Sequence, residues 1–142
     1  MTTEPLIRSV DDLRVRRERG LARLYPADRM RINLGANTCG LACGADALAP
    51  LLGELAAGTV TVANVGCIGL CSYEPILDVW RPGHPRIFYG PVNEERLRAI
   101  AAGLRAGTPD LDGALFKLST EDLVAEGRRL EHGDGAELPG LP

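Results

Sequence analysis

Aromatic side chains are scarce in this sequence: one Trp, three Tyr and two Phe make up 4% of 142 residues. The core they can build is modest, and 17 Gly with 10 Pro foretell many turns. A chain of this length carries one domain's worth of core, which excludes a multidomain enzyme. Charge of one sign is lacking as well. Sixteen basic residues against 19 acidic ones leave a net charge of -3 and a pI near 5.4, so bulk attraction to nucleic acid or an anionic membrane is not expected. The longest uncharged stretch, residues 55–73, is interrupted by Gly58, Asn64, Gly66, Gly69 and two Thr, so no membrane insertion is expected. Glu4, Asp11 and Asp12 stand where a secretory leader needs basic charge and then an apolar run, and a cytoplasmic location is the expectation. A phosphate-binding glycine loop, a Ser-His-Asp set and paired carboxylates are missing too, so the chain is not expected to be catalytic alone.

Periodicity divides what is there. Val10, Leu13, Arg17, Leu21 and Leu24 fall on one helical stripe, with Asp11 and Asp12 at the dipole-favoured start and Pro26 as the stop. The basic run of Arg14, Arg16, Arg17 and Arg19 reads as a solvated helix face, with docking to an acidic partner as the minor alternative. Residues 31–35 form an expected strand, 41–56 an Ala- and Leu-rich helix, and 59–65 a second strand with alternating β-branched residues. Two short strands at 75–80 and 85–89 are joined by the Pro-Gly turn of residues 81–84. Asn93, with Glu94 and Glu95, begins a helix to about 106. Helix, then β-α-β-β-β-α, is the order of an α/β fold with a mixed four-stranded sheet, and a thioredoxin-like arrangement satisfies it. The expected organisation is an N-terminal helical extension at 1–28, the α/β domain at 29–107 and a C-terminal extension at 108–142. Within that extension, 119–130 is expected to be a short helix capped by Ser119, and the rest a tail.

The four cysteines are the informative residues. Cys39 and Cys43, then Cys67 and Cys71, form two Cys-x3-Cys pairs separated by 23 residues. In a reducing compartment such pairs point to a metal or cluster rather than to disulfides. Each pair lies where the chain turns between elements, and such loops meet at one edge of an α/β sheet. Four thiolates there suit tetrahedral Zn or an iron-sulfur cluster. Gly40, Gly44, Gly66 and Gly69 allow backbone N–H groups to approach sulfur, while Leu41, Ala42, Ile68 and Leu70 are expected to exclude water; both features favour the cluster. Zn knuckles more often use a two-residue spacer. Cys43 in its Ala-rich setting also reads as a small buried hydrophobe, and the pairs as a dithiol switch, although Cys-x3-Cys is not the Cys-x2-Cys of disulfide oxidoreductases. His84 reads as a turn residue before a fourth ligand, His132 has no evident partner, and Tyr73 and Glu74 read as loop residues at the rim.

The segments TCGLACGADAL at 38–48 and NVGCIGLCSYEPILDVWRPGHPRIFYGPV at 64–92 resemble the thioredoxin-like ferredoxin module of NADH-binding flavoprotein subunits. Those subunits belong to relatives of complex I, NAD-reducing hydrogenases and NAD-dependent formate dehydrogenases. The resemblance spans about residues 10–107, and GCIGLC-x3-P is its most specific part. It implies a 2Fe-2S cluster held by Cys39, Cys43, Cys67 and Cys71, although Cys43 stands where the family pattern often has Ala. It implies electron transfer as a component of an NADH-linked oxidoreductase, with FMN and NADH bound only by a partner subunit or missing domain. The partners it implies are a flavoprotein NADH-oxidising subunit and other iron-sulfur subunits. The chain is then either a separate small subunit or an excised N-terminal piece. The competing expectation is a non-redox docking module whose cysteines are vestigial or hold Zn.

Overall fold

The computed structural model describes residues 6–55 and 60–118. The helix expected first is present as α1 (Val10–Leu24), started by a capping box: Asp12 N–H donates to Ser9 Oγ at 3.1 Å and Ser9 N–H to the Asp12 carboxylate at 2.9 Å. Its apolar stripe is not covered. No residue of α1 is buried, and Val10, Leu13 and Leu24 are all exposed.

Strand β1 (Met30–Gly35) is followed by two helices, α2 (Thr38–Ala42) and α3 (Ala45–Leu55), where one continuous helix is expected from the sequence. Gly44, at φ 91°, breaks them by entering the left-handed region. Then come β2 (Val60–Val65), a 3-10 turn at Cys71–Tyr73, β3 (Leu77–Trp80), β4 (Arg86–Tyr89) and α4 (Glu94–Ala106). Asn93 caps α4 by accepting from Arg96 N–H at 2.8 Å, and Gly107, at φ 77°, ends it.

The sheet has five strands rather than the expected four, in the order β2-β1-β3-β4-β5. The addition is β5 (Ala114–Leu118), which lies within the expected C-terminal extension and pairs antiparallel with β4. What seats it is a cross-strand pair: the Phe88 and Phe116 rings stack at 4.4 Å. The expected helix at 119–130, the tail and His132 lie outside the described residues. β1 and β2 are parallel, and the other pairs antiparallel. Among the described residues no helix is long and apolar enough to cross a membrane.

Alternation along the strands sends Ile32, Leu34, Leu77, Val79 and Tyr89 into one core with Leu48, Leu51 and Leu52 of α3 and Leu97 and Ile100 of α4. The intervening positions carry a buried polar chain. Arg86 clamps the Asp78 carboxylate at 2.6 and 2.8 Å, Asn33 donates to it at 2.9 Å, and Arg31 donates to Asn33 Oδ1 at 2.8 Å. Asp78 is 3% exposed, and this bidentate pairing is what makes its burial tolerable.

Burial pushes the Tyr89 phenol up to about 12 from its ordinary 10.0, with the Asp110 carboxylate adding to the shift and Arg96 opposing it. The neutral phenol therefore stabilises the fold fully below pH 10. As pH rises toward 12 the unfolded chain ionises before the folded one, and roughly 2–3 kcal/mol is lost. Urea midpoints followed from about pH 9 to about pH 12 should fall over that window, and Tyr89→Phe should flatten the fall. An equally steep decline in the variant would refute the assignment.

Candidate metal centre

The end of β1 is held on both sides. Gly35 N–H donates to Ile76 O at 2.8 Å, and Ala36 N–H to Val65 O at 3.2 Å. The chain leaving β1, the chain leaving β2 and the chain entering β3 therefore lie at one edge of the sheet, where ligand sites of α/β sheets collect. Cys39 is on the first of these segments, Cys67 on the second and Cys71 on the third.

Local structure aims each thiol. Asn37 caps α2 by accepting from Thr38 N–H at 2.9 Å, placing Cys39 in the helix's first turn. Gly69, at φ 91°, curls the chain after Cys67 so that its own N–H donates to Cys67 Sγ at 3.3 Å. Cys71 opens the 3-10 turn. Cys39 Sγ stands 3.3 Å from Cys71 Sγ, Cys67 Sγ stands 3.5 Å from it, and all three sulfurs lie within 4.8 Å of one another. The thiols are free. Two thiolates on one tetrahedral metal are about 3.8 Å apart, so this donor set needs only small adjustments to take a thiophilic ion.

Cys43 is placed differently. It is the exposed C-cap of α2, outside the three-sulfur group, and its N–H is shared between the carbonyls of Cys39 and Gly40, both at 3.1 Å. Four residues beyond Cys39, it stands about one helical turn further along. His84 lies in the turn between β3 and β4, at the end of β3 away from the cysteines, and is not in the sulfur group.

The Cys67 thiol is pushed above its ordinary value. Gly69 N–H donation pulls it down, but the neighbouring Cys71, partial desolvation and the Glu74 carboxylate outweigh that effect. Crowded sulfur donors of this kind gain by sharing a cation, and binding then releases protons. Leu41, Ile68 and Tyr73 remain about half exposed beside the cysteines. Instead of sealing the site from water, as Leu41 and Ile68 are expected to do from sequence, they form an open apolar rim.

Glu74 reads as an ordinary loop residue in the sequence, yet its side chain is buried, at 6% exposure. Ile76 N–H donates to its Oε2 at 2.7 Å. An acid directly before Pro75, three residues after a candidate ligand, is the only sequence signal of it.

The fold is similar to two solved structures of a thioredoxin-like [2Fe-2S] ferredoxin from Aquifex aeolicus. The wild-type protein matches with a TM-score of 0.51 at 17% identity, over 62% of this chain and 97% of the ferredoxin. A second structure matches with a TM-score of 0.52 at 16% identity, over 73% of this chain and 97% of the ferredoxin. These likenesses establish a thioredoxin-like ferredoxin fold. A scan of protein-family models finds no match to the sequence, and neither does a search of curated proteins.

Replacing Cys39, Cys67 or Cys71 by Ser should each weaken metal retention at least about tenfold, because each removes one thiolate from a converged set. Cys43→Ser should lose less than any of the three. Metal bound per chain after gel filtration, read by elemental mass spectrometry, checks the order, and a loss in Cys43→Ser equal to the others would overturn it.

Proposed function

We propose that this protein transfers electrons through a 2Fe-2S cluster held by Cys39, Cys67, Cys71 and Cys43, as a cytoplasmic component of an NADH-linked oxidoreductase. The observation that carries the reading is the convergence of Cys39 with Cys67 and Cys71, 28 and 32 positions later, at one edge of a thioredoxin-like ferredoxin fold. The likeness of the fold to that of the Aquifex [2Fe-2S] ferredoxin supports the choice of cluster. So does the Gly69 N–H donor to Cys67 sulfur, since such bonds stabilise anionic sulfur and tune cluster potentials. Cys43, exposed one helical turn beyond Cys39, is the fourth and outermost ligand of the set, the one whose loss leaves the converged three intact.

When bound, the cluster supplies one-electron chemistry. The residues of the chain do the rest: thiolates hold the iron, Gly69 donates to sulfur, and the apolar rim of Leu41, Ile68 and Tyr73 offers a partner an easily desolvated contact beside the centre. NADH surrenders electrons in pairs as hydride, so the reading requires a flavoprotein NADH-oxidising partner that divides the pair, and further iron-sulfur subunits as onward carriers.

One observation favours a second reading. Three sulfurs within 4.8 Å are compact enough for a single tetrahedral ion, which suits a Zn-bound docking module without redox function. Elemental and acid-labile sulfide analysis separates the two. After anaerobic reconstitution the full chain should contain two iron and two sulfide per chain. One Zn per chain that iron and sulfide do not displace would establish the second reading instead.

A further inference from the structure

Glu74 joins two of the cysteine-bearing segments of the centre, the Cys71 loop and the Cys39 helix. It ends the 3-10 turn that Cys71 begins, its own N–H returning to Cys71 O at 3.4 Å. Its Oε2 accepts from Ile76 N–H, fixing the carboxyl inside its own loop. Across from it lie two glycines. A Cβ at Gly35, the last residue of β1, would stand 2.9 Å from Oε2; one at Gly40, next to Cys39, would run into the Gly35 carbonyl and stand 3.3 Å from Oε2. Glycine at 35 leaves the seat open, and the close approach of Gly40 to the Gly35 backbone brings the Cys39 helix beside it. Burying a carboxyl is expensive unless something holds it, and a buried polar group of this kind beside a metal-binding set is a candidate for function rather than for stability.

We propose that Glu74 is the positioning residue of the metal centre: its carboxyl, hydrogen-bonded to Ile76 N–H and seated against Gly35 and Gly40, sets the Cys71 loop against the Cys39 segment and so fixes the separation of the thiols. This positioning role is the same for any thiophilic metal. It deepens the proposed function by naming what holds the ligands apart, and it rests on that reading only in requiring that the cysteines bind metal. Outer-shell partners of this type change metal affinity about 10- to 100-fold when removed.

The test is cobalt(II) titration of the full chain, followed by thiolate-to-metal charge-transfer absorption, for wild type, Glu74→Met and Glu74→Gln. Met fills the seat without an acceptor, so packing is kept while the hydrogen bond is lost. Gln keeps a carbonyl oxygen for Ile76 N–H. Glu74→Met should bind at least about tenfold more weakly, and Glu74→Gln should stay within about threefold of wild type. Circular dichroism of the metal-free proteins establishes that each is folded. If Glu74→Met does not fold, Glu74→Leu takes its place with the same expected loss. Wild-type affinity in the apolar variant, or an equal loss in Glu74→Gln, overturns the proposal. Absence of any cobalt band in the wild type overturns the metal centre itself, a result distinct from both. Cobalt occupies thiolate sites whether the resident group is Zn or iron-sulfur, so the outcome is independent of which reading of function holds.

Discussion

The two hydrogen bonds at the end of β1, from Gly35 to Ile76 and from Ala36 to Val65, decide what this fold can do. They hold three chain segments, which carry Cys39, Cys67 and Cys71, at one edge of the sheet. A parallel β1-β2 pair places the ends of both strands at that edge, and the antiparallel β3 begins there. Had β2 run antiparallel to β1, Cys67 would have been carried to the far end of the sheet. The core formed by Leu34, Leu48, Leu77 and Leu97 keeps these strand ends in place, so packing and site are one problem.

The centre itself is assembled from weak local devices. An Asn cap, a left-handed glycine and a short 3-10 turn each direct one thiol, and each contributes on the order of 1 kcal/mol. Their sum is enough because the segments they decorate are already immobilised. The sulfur donors stand close together at an edge that is only partly covered, a compromise between holding a metal and letting a partner approach. Meanwhile the opposite face of the sheet carries the Asp78, Arg86, Asn33 and Arg31 chain, in which Asp78 is paired with Arg86 and Arg31 is hydrogen-bonded through Asn33.

Much of this was legible in the residues. The strand at 31–35, the Pro-Gly turn at 81–84 and the Asn93-capped helix are local features with local signals, and the structure has them. The break after Cys43 was not legible, because Ala- and Leu-rich flanks favour helix on both sides and only the φ of Gly44 interrupts them. β5 escaped for another reason. The Asp112-Gly113 turn marks where it begins, but a run of only five residues becomes a strand through pairing with β4 and the stack of Phe116 on Phe88, and both are tertiary facts. The same holds for the site: the resemblance already set Cys43 apart as a position that often holds Ala, but only folding shows that the other three converge. Glu74 was the least legible of all, since the glycines beside its carboxyl lie 34 and 39 positions earlier in the chain.

Low-temperature electron paramagnetic resonance of the anaerobically reconstituted, dithionite-reduced full chain tests the central claim most directly. A 2Fe-2S centre at these cysteines predicts a rhombic S = 1/2 signal integrating to about one spin per chain, lost on reoxidation and absent from the Cys67→Ser variant. A chain that stays silent after reduction while retaining its metal would contradict the account and leave the cysteine edge as a structural Zn site.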